Sequence, residues 1–303
     1  MHARLQQRAT PSRVSPVHAK ASPGKPSQFD RIRQLLDDHL AKAQEARKRL
    51  LEEPYDPKLL HAWRVGLRRV TATLKDVAGF SDDDLGDVLA YLRLCREATG
   101  SCRDLDILAQ ETLPAFLKHA GTKGALAEQA MRVVAGHQQE AHRQAVLALK
   151  KYSLAIPLQA WRHWVASLEP PTDRTARNVA AAVIERRFDT LKKRVARLDG
   201  GQKRLHRLRS ATKKLRYSIE LYRYAFPKPS DAWLKQLAVL QGQLGLAHDR
   251  MMGRKLLSDM LGKEEARPFR RWSRHSAYEA SKKAMQSLEK LQRLSRHWRA
   301  HAH

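Results

Sequence analysis

The chain has 303 residues, with 58 Lys plus Arg against 31 Asp plus Glu and a formal net charge of +27. Such a surface recruits polyanions, and its sign speaks about partners and association rate rather than about fold. With 42% hydrophobic residues the chain can still bury a sizeable core, which excludes a wholly disordered basic tail.

Residues 1–28 carry Arg4, Arg8, Arg13, Lys20 and Lys25, several prolines and serines, and no acid. A segment of this kind buries little apolar surface, so a disordered basic N-terminal arm is expected. An acid-poor, Arg-containing leader also resembles an organellar transit peptide, but the prolines oppose the amphipathic helix that such leaders need. No apolar run approaches the roughly 20 residues that span a bilayer, and the N-terminus lacks an apolar signal core. A soluble, cytoplasmic protein is expected.

From Phe29 onward, apolar residues recur at three- and four-residue steps and helix formers dominate, which predicts an all-α chain. The first helical half, 29–165, divides into segments near 29–53, 57–79, 82–118 and 124–151. Pro54, Pro57 and the stretch Gly79-Phe80-Ser81-Asp82 supply breaks and caps, and Gly100-Ser101 is a candidate interruption of the third segment. After a linker containing Glu169-Pro170-Pro171, the second helical half, 174–300, divides into segments near 174–199, 202–226, 230–261 and 265–300, with Gly200-Gly201, Pro227, Pro229 and Gly262 as punctuation. Cys95 and Cys102, the two cysteines, have no companions at zinc spacing and read as packing thiols.

Aligning the chain with itself at an offset of 145 superposes the two halves without insertion or deletion. His61 and Arg64 meet His206 and Arg209, Arg68-Arg69 meet Lys213-Lys214, Gly100 meets Gly245, and Asp104 meets Asp249. The period is too long for a solenoid unit and implies a duplicated helical module, two packed bundles related by an approximate two-fold.

Within the second segment of the first half, His61, Arg64, Arg68 and Lys75 stand at i, i+3, i+7 and i+14, which places them along one face of a helix. Arg69 flanks that stripe. His206, Arg209, Lys213 and Arg216, flanked by Lys214, repeat the arrangement. Between Lys192 and Lys228 there are 13 Lys or Arg and only Asp199 and Glu220 to offset them. Like charges at this spacing destabilise a helix by roughly 0.2–0.5 kcal/mol per pair, so an external polyanion is expected to supply the missing negative charge. A single stripe would read as a solvated face; two at one offset point to a track that follows a phosphate chain, with Arg offering planar forks and Lys compact charges.

His61 and His206 lead the two stripes and are expected to contact the anion or support the residues that do, with binding that tightens as they protonate near the ordinary imidazole value of about 6.5. A metal is not expected, because cations dominate the surroundings. Asp104 and Asp249 are expected to orient an Arg or His or to cap a helix. His137, His142, His163 and His275 lack repeat partners and default to surface or packing roles. Trp63, Trp161, Trp164, Trp233, Trp272 and Trp298 read as core or inter-bundle anchors, with base stacking as the competing use.

The paired motifs, His61-x-x-Arg64-x-x-x-Arg68-Arg69 with Gly100-Ser-Cys-Arg103-Asp104, and His206-x-x-Arg209-x-x-x-Lys213-Lys214-Leu-Arg216-Tyr217 with Gly245-x-x-His248-Asp249, resemble a CHAD domain, the conserved histidine α-helical domain, over about residues 29–300. The resemblance implies two four-helix bundles related by pseudo-two-fold symmetry with a basic groove or pore between them. It also implies non-catalytic binding of inorganic polyphosphate without a cofactor, and association with polyphosphate granules and their proteins. The binding residues it implies include Arg103 and His248 besides the two stripes, with Asp104, Asp249 and Tyr217 in support. Lys75 aligns with Glu220, Arg103 with His248 and Asp106 with Met251, so the halves are expected to contribute unequally.

Two other function classes stay open on the sequence. Net charge supports nucleic-acid binding equally well, although no zinc finger, RNP-type aromatic motif or Gly-x-x-Gly clamp is present and the basic residues are not interleaved with aromatics. A polyphosphate phosphatase or kinase would need a P-loop, a paired-carboxylate metal site or an activated nucleophile, none of which can be assembled; no Glu-x-Glu-x-Lys motif of triphosphate-processing domains occurs.

Overall fold

The computed structural model describes residues 27–77, 85–121, 125–167, 172–198 and 201–302. Among these residues every regular element is helical, so the fold is all-α. Nearly all of the basic arm, the break at 79–82 and the linker prolines 170–171 lie outside the described residues.

Helix α1 (Gln28–Glu52) starts at a capping box, in which the Ser27 side chain accepts from the Asp30 N–H and the Asp30 side chain accepts from the Ser27 backbone. This satisfies two of the donors that a helix start leaves open. Helix α2 (Pro57–Val77) follows Pro54, with Asp56 accepting from the Lys58 N–H at 2.8 Å. The two helices approach closely at Gly66, where a Cβ would lie 2.8 Å from the Ala43 Cβ and 3.1 Å from the His39 carbonyl oxygen. Only a residue without a side chain fits there without displacing a neighbour.

The third segment of the first half is three helices rather than one. Helix α3 (Gly86–Glu97) ends in a turn at Ala98-Thr99, α4 (Gly100–Ile107) leads into a π-helical turn at Leu108–Thr112, and α5 (Leu113–Ala120) stops at Gly121, whose φ of 59° is left-handed. Its counterpart α10 (Pro227–Leu261) runs unbroken for 35 residues through Gly245. The difference comes from tertiary contacts. Arg64 donates to the Arg96 carbonyl and, at 3.0 Å, to Thr99 Oγ1, so a side chain from α2 occupies the acceptors that the break exposes. The π turn in turn seats against α10 at Gly253, where a Cβ would meet Thr112 Cγ2 at 2.8 Å.

Helix α6 (Ala125–Lys151) matches its expected bounds. The stretch before the linker forms a helix of its own, α7 (Ala155–Ser167), which buries Trp161 and Trp164 and lets Trp161 Nε1 donate to Asp37 at 3.1 Å. In the second half, α8 (Asp173–Val195) and α9 (Gln202–Leu221) precede α10, and α11 (Arg267–Gln292) ends earlier than expected. The residues after it turn back so that Trp298 is fully buried and donates to Glu185 at 2.6 Å, while Arg296 reaches the same carboxylate at 2.7 Å.

Helix α1 packs on α2 and α8 on α9, corresponding pairs at the offset of 145, and α2 packs on α9. Trp63, Trp233 and Trp298 are the largest fully buried side chains. The halves are also pinned by a polar junction: Asp76, 1% exposed, accepts from Arg187 Nε at 3.1 Å and from Ser218, and its carbonyl accepts from the Tyr222 hydroxyl at 3.0 Å. Burial raises the Asp76 carboxyl above its ordinary value against the opposing pull of Arg187 and Ser218. No helix among the described residues is long and apolar enough to cross a membrane.

Candidate functional site

The side chains of interest stand on α2 and α9, where the two helices meet. His61, Arg64 and Arg68 follow one face of α2 at helical spacing, and His206, Arg209 and Lys213 do the same on α9. The structure brings these two rows together. Arg68, Arg209 and Arg64 all act on Lys213, and burial with those three cations pulls its ammonium down to about 6 from an ordinary 10.5. Arg64 is lowered to about 10, first by burial and then by Arg68. Burial lowers Arg209 as well, with Asp249 acting in the opposite direction. Cations packed this closely under partial desolvation repel one another, and a bound anion would relieve them.

Helices α4 and α10 complete the cluster. Arg103 and Asp104 come from α4, His248 and Asp249 from α10. Burial raises Asp104, opposed by Arg64, Arg209 and Arg103. It raises Asp249 to about 6, and Arg209 and Lys213 oppose that shift. Asp104 therefore faces arginines from the two halves, and Asp249 faces Arg209 and Lys213 of its own half. The His206 and His248 rings lie 5.5 Å apart, and burial with Arg209, His206 and Lys213 takes His248 down to about 4. His61 is lowered by burial and then by Arg103, Arg68, Lys213 and Arg64, and His206 by burial, Arg209 and Lys213. The histidines are thus neutral at pH 7, and their protonation falls below the range expected from the ordinary value.

Four of the anticipated residues lie elsewhere. Arg69 and Arg216 both meet Glu220, each at 3.0 Å, and the Arg69 guanidinium stands 5.4 Å from the Tyr217 ring. Lys75 is not gathered with Arg68; it acts instead on Lys214, together with Arg187 and Arg194. The reason is length: the seven residues from Arg68 to Lys75 advance the helix about 10 Å, and around Asp76 α2 is engaged with α8 and α9. Arg103 is partly neutralised by Glu111 at 3.6 Å.

Arg96, on α3, was not among the anticipated residues. It is half-buried, and burial and Arg68 lower it. At the offset of 145 it aligns with Gln241, so the repeat that singles out the other residues passes over it.

A second polar cluster lies beside the α1–α2 loop. Asp106, fully buried, accepts from Tyr55 at 2.8 Å and from Gln138 at 2.8 Å and lies 3.0 Å from His142 Nε2. Cys102 Sγ, an Asp106 oxygen and a His142 nitrogen fall within 4.8 Å of one another. Burial holds the Cys102 thiol up to about 11, and Tyr55 stacks on His142 with ring centroids 3.5 Å apart. With its acceptors satisfied and its thiol protonated, the cluster serves as a clamp joining the loop to α4 and α6, which gives His142 a packing role. His137, His163 and His275 are exposed. Among the tryptophans, five are buried, and Trp272 packs with Phe116 and Phe269 beneath Arg250.

The family model described as "CHAD domain" matches residues 34–258. Among solved structures, the crystal structure of the CHAD domain from the plant Ricinus communis is similar, with a TM-score of 0.66 and 24% identity over 94% of this chain and 95% of that chain. PptA from Streptomyces chartreusis superposes with a TM-score of 0.65 at 17% identity, over 88% of this chain and 100% of that one. Comparison with curated protein sequences found no match.

Proposed function

The chain belongs to the CHAD domain family, and from that premise we propose that it binds inorganic polyphosphate, without catalysis, in the basic cluster where α2 meets α9. The observation that carries the proposal is the environment of Lys213, whose ammonium is pulled down to about 6 by burial and by Arg68, Arg209 and Arg64 around it. An isolated protein gains nothing from holding cations in this way, whereas a phosphate chain lying along them would return a proton to Lys213, offset the repulsion among the arginines and release its own counterions. His61, His206 and His248 line the cluster as neutral donors, and Asp104 and Asp249 orient the arginines.

A phosphate chain, rather than a nucleic acid, fits because among the described residues the cation nearest the cluster that stands over an aromatic face is Arg69, 5.4 Å from the Tyr217 ring, and Arg64, Arg68, Arg209 and Lys213 make no such contact. A stacking platform needs such rings at successive bases. In cells the protein would stay in the cytoplasm on polyphosphate granules. The test is binding of the purified chain to size-fractionated polyphosphate and to RNA over a salt series. Engagement of six cations, counting Arg96 and Arg103, gives a slope of roughly −4 in log affinity against log salt, and long polyphosphate should displace RNA at equal phosphate concentration. Displacement in the opposite direction would make nucleic acid the ligand, and phosphate release in the presence of magnesium would make the protein an enzyme.

A further inference from the structure

Outside the central cluster, the corner between α8 and α9 encloses an open pocket of about 250 Å³ lined by Arg194, Arg197, Arg204 and Arg207. Arg194 ends α8, Arg197 follows it, and Arg204 and Arg207 stand three residues apart on the first turns of α9. Arg204 Nη1 donates to the Arg197 carbonyl at 2.8 Å, so the two sides of the corner are tied before any ligand arrives. The sequence places one acid between them, Asp199, which lies outside the described residues. Four guanidiniums against one carboxylate leave a surplus of positive charge whichever way that carboxylate points.

The pocket is not a piece of the duplicated track. At the offset of 145 its four arginines align with Arg49, Glu52, Leu59 and Ala62, and in the first half Arg49 is held by Glu53 at 2.9 Å. The second half has Leu198 where the first has Glu53, and Arg197 where it has Glu52. The first corner thus sets Glu52 and Glu53 against its single arginine, whereas the second carries four arginines and one acid in its sequence. Nor does the pocket open onto the central cluster: His206 is shifted by Arg209 and Lys213, while its sequence neighbour Arg207 points about 100° away around the helix. Arg194 acts instead on Lys214, beside Lys75 and Arg187.

We propose that this four-arginine corner is a second anion site, which takes a short oligophosphate or the end of a phosphate chain. Planar guanidinium forks converging on one cavity suit the clustered oxygens of a compact phosphoanhydride, which they bind in bidentate fashion. The start of α9 adds to this, since its first turn contains no acid and the positive end of the helix dipole favours a negative group there. The site shares the ligand chemistry of the central cluster but none of its residues.

The experiment is calorimetry of the full chain with tripolyphosphate, alongside binding of long polyphosphate over a salt series. Three variants are compared with the unaltered chain: R197E/R207E at the corner, R68E/K213E at the centre, and R174E/R177E, exposed arginines on α8 that carry the same change of net charge. The corner variant should lose one class of tripolyphosphate sites and flatten the salt slope by about 1.4, the share of two cations. The central variant should keep that class. If R197E/R207E binds with unaltered stoichiometry and slope, or if R174E/R177E loses as much, the corner site is refuted. Loss in R197E/R207E with full retention in R68E/K213E would sustain the corner and overturn the central site.

Discussion

Arg69 on α2 and Glu220 on α9 form an ion pair of 3.0 Å across the junction of the two halves, and Arg216 meets the same carboxylate from the other side. Glu220 is the counterpart of Lys75, so one exchange decides the charge state of two places. Where Glu220 stands, two arginines share one carboxylate; where Lys75 stands, Lys214 is met by another cation. The halves are therefore unequal as binding surfaces despite their common pattern.

Removing that carboxylate should strengthen polyanion binding. In E220Q, Arg69 and Arg216 lose their shared carboxylate and become available to an external ligand, and the salt slope should steepen by about 1.4 if both engage it. Stability should change little, because partly exposed pairs of this kind contribute at most about 1 kcal/mol each. Polyphosphate titrations at several salt concentrations, with thermal melts, check both statements. An unchanged slope would mean that neither arginine reaches the ligand.

Charge reversal at the centre should have the opposite effect. Hydrogen bonds to charged groups contribute about 1.5–3 kcal/mol each, so R68E/K213E should lower affinity at least ~100-fold while circular dichroism still reports a helical fold. Retained affinity in a folded variant would remove these residues from the site.

Binding should take up protons at neutral pH. In the unliganded protein Lys213 loses its proton above about 6, because burial and then Arg68, Arg209 and Arg64 press it down while Asp249 pulls it up. A phosphate chain reverses that balance, raises the ammonium toward its ordinary 10.5 and draws a proton from solvent. Affinity should therefore fall as pH rises above 6. The histidines act in the same direction at lower pH, since His61 and His206 are lowered and His248 stands at about 4. Folding has its own dependence on Lys213: between about 6 and 10.5 the unfolded chain binds more protons, so this residue's contribution to stability rises with pH. Calorimetry in two buffers of different ionisation enthalpy measures the uptake, which K213M should abolish at pH 7.5.

The Asp76 junction predicts a stability effect separate from binding. Asp76→Ala would leave Arg187 and Ser218 beside an apolar gap, and breaking a buried pair in this way costs about 3–5 kcal/mol. Chemical denaturation should show a lower midpoint for this variant, and a midpoint within error of the unaltered chain would mean that solvent replaces the carboxylate.

Read residue by residue, periodicity determined the helices that bury one continuous face, such as α2 and α6, because the 3.6-residue repeat is a local property. The offset of 145 likewise determined that His61, Arg64 and Arg68 answer His206, Arg209 and Lys213. The break in the third segment was marked by Gly100-Ser101, and Thr99 and Ser101 stand where the unbroken helix has Leu244 and Leu246; what the sequence did not show is that the Arg64 side chain, arriving from α2, occupies the acceptors at that break. Helix α7 was hidden for a related reason, as its short apolar face packs on α3 and is held to α1 by the bond from Trp161 to Asp37.

Charge shows the same division. Composition and spacing determined that this chain presents cations in rows, but a row says nothing of which side chains find a carboxylate across a helix crossing. Tertiary structure alone neutralised Arg69 with Glu220, parted Lys75 from Arg68, added Arg96 to the cluster and gathered four arginines at the α8–α9 corner. The physical reason is that helical spacing orders residues along one axis, whereas electrostatic energy depends on distance in three dimensions.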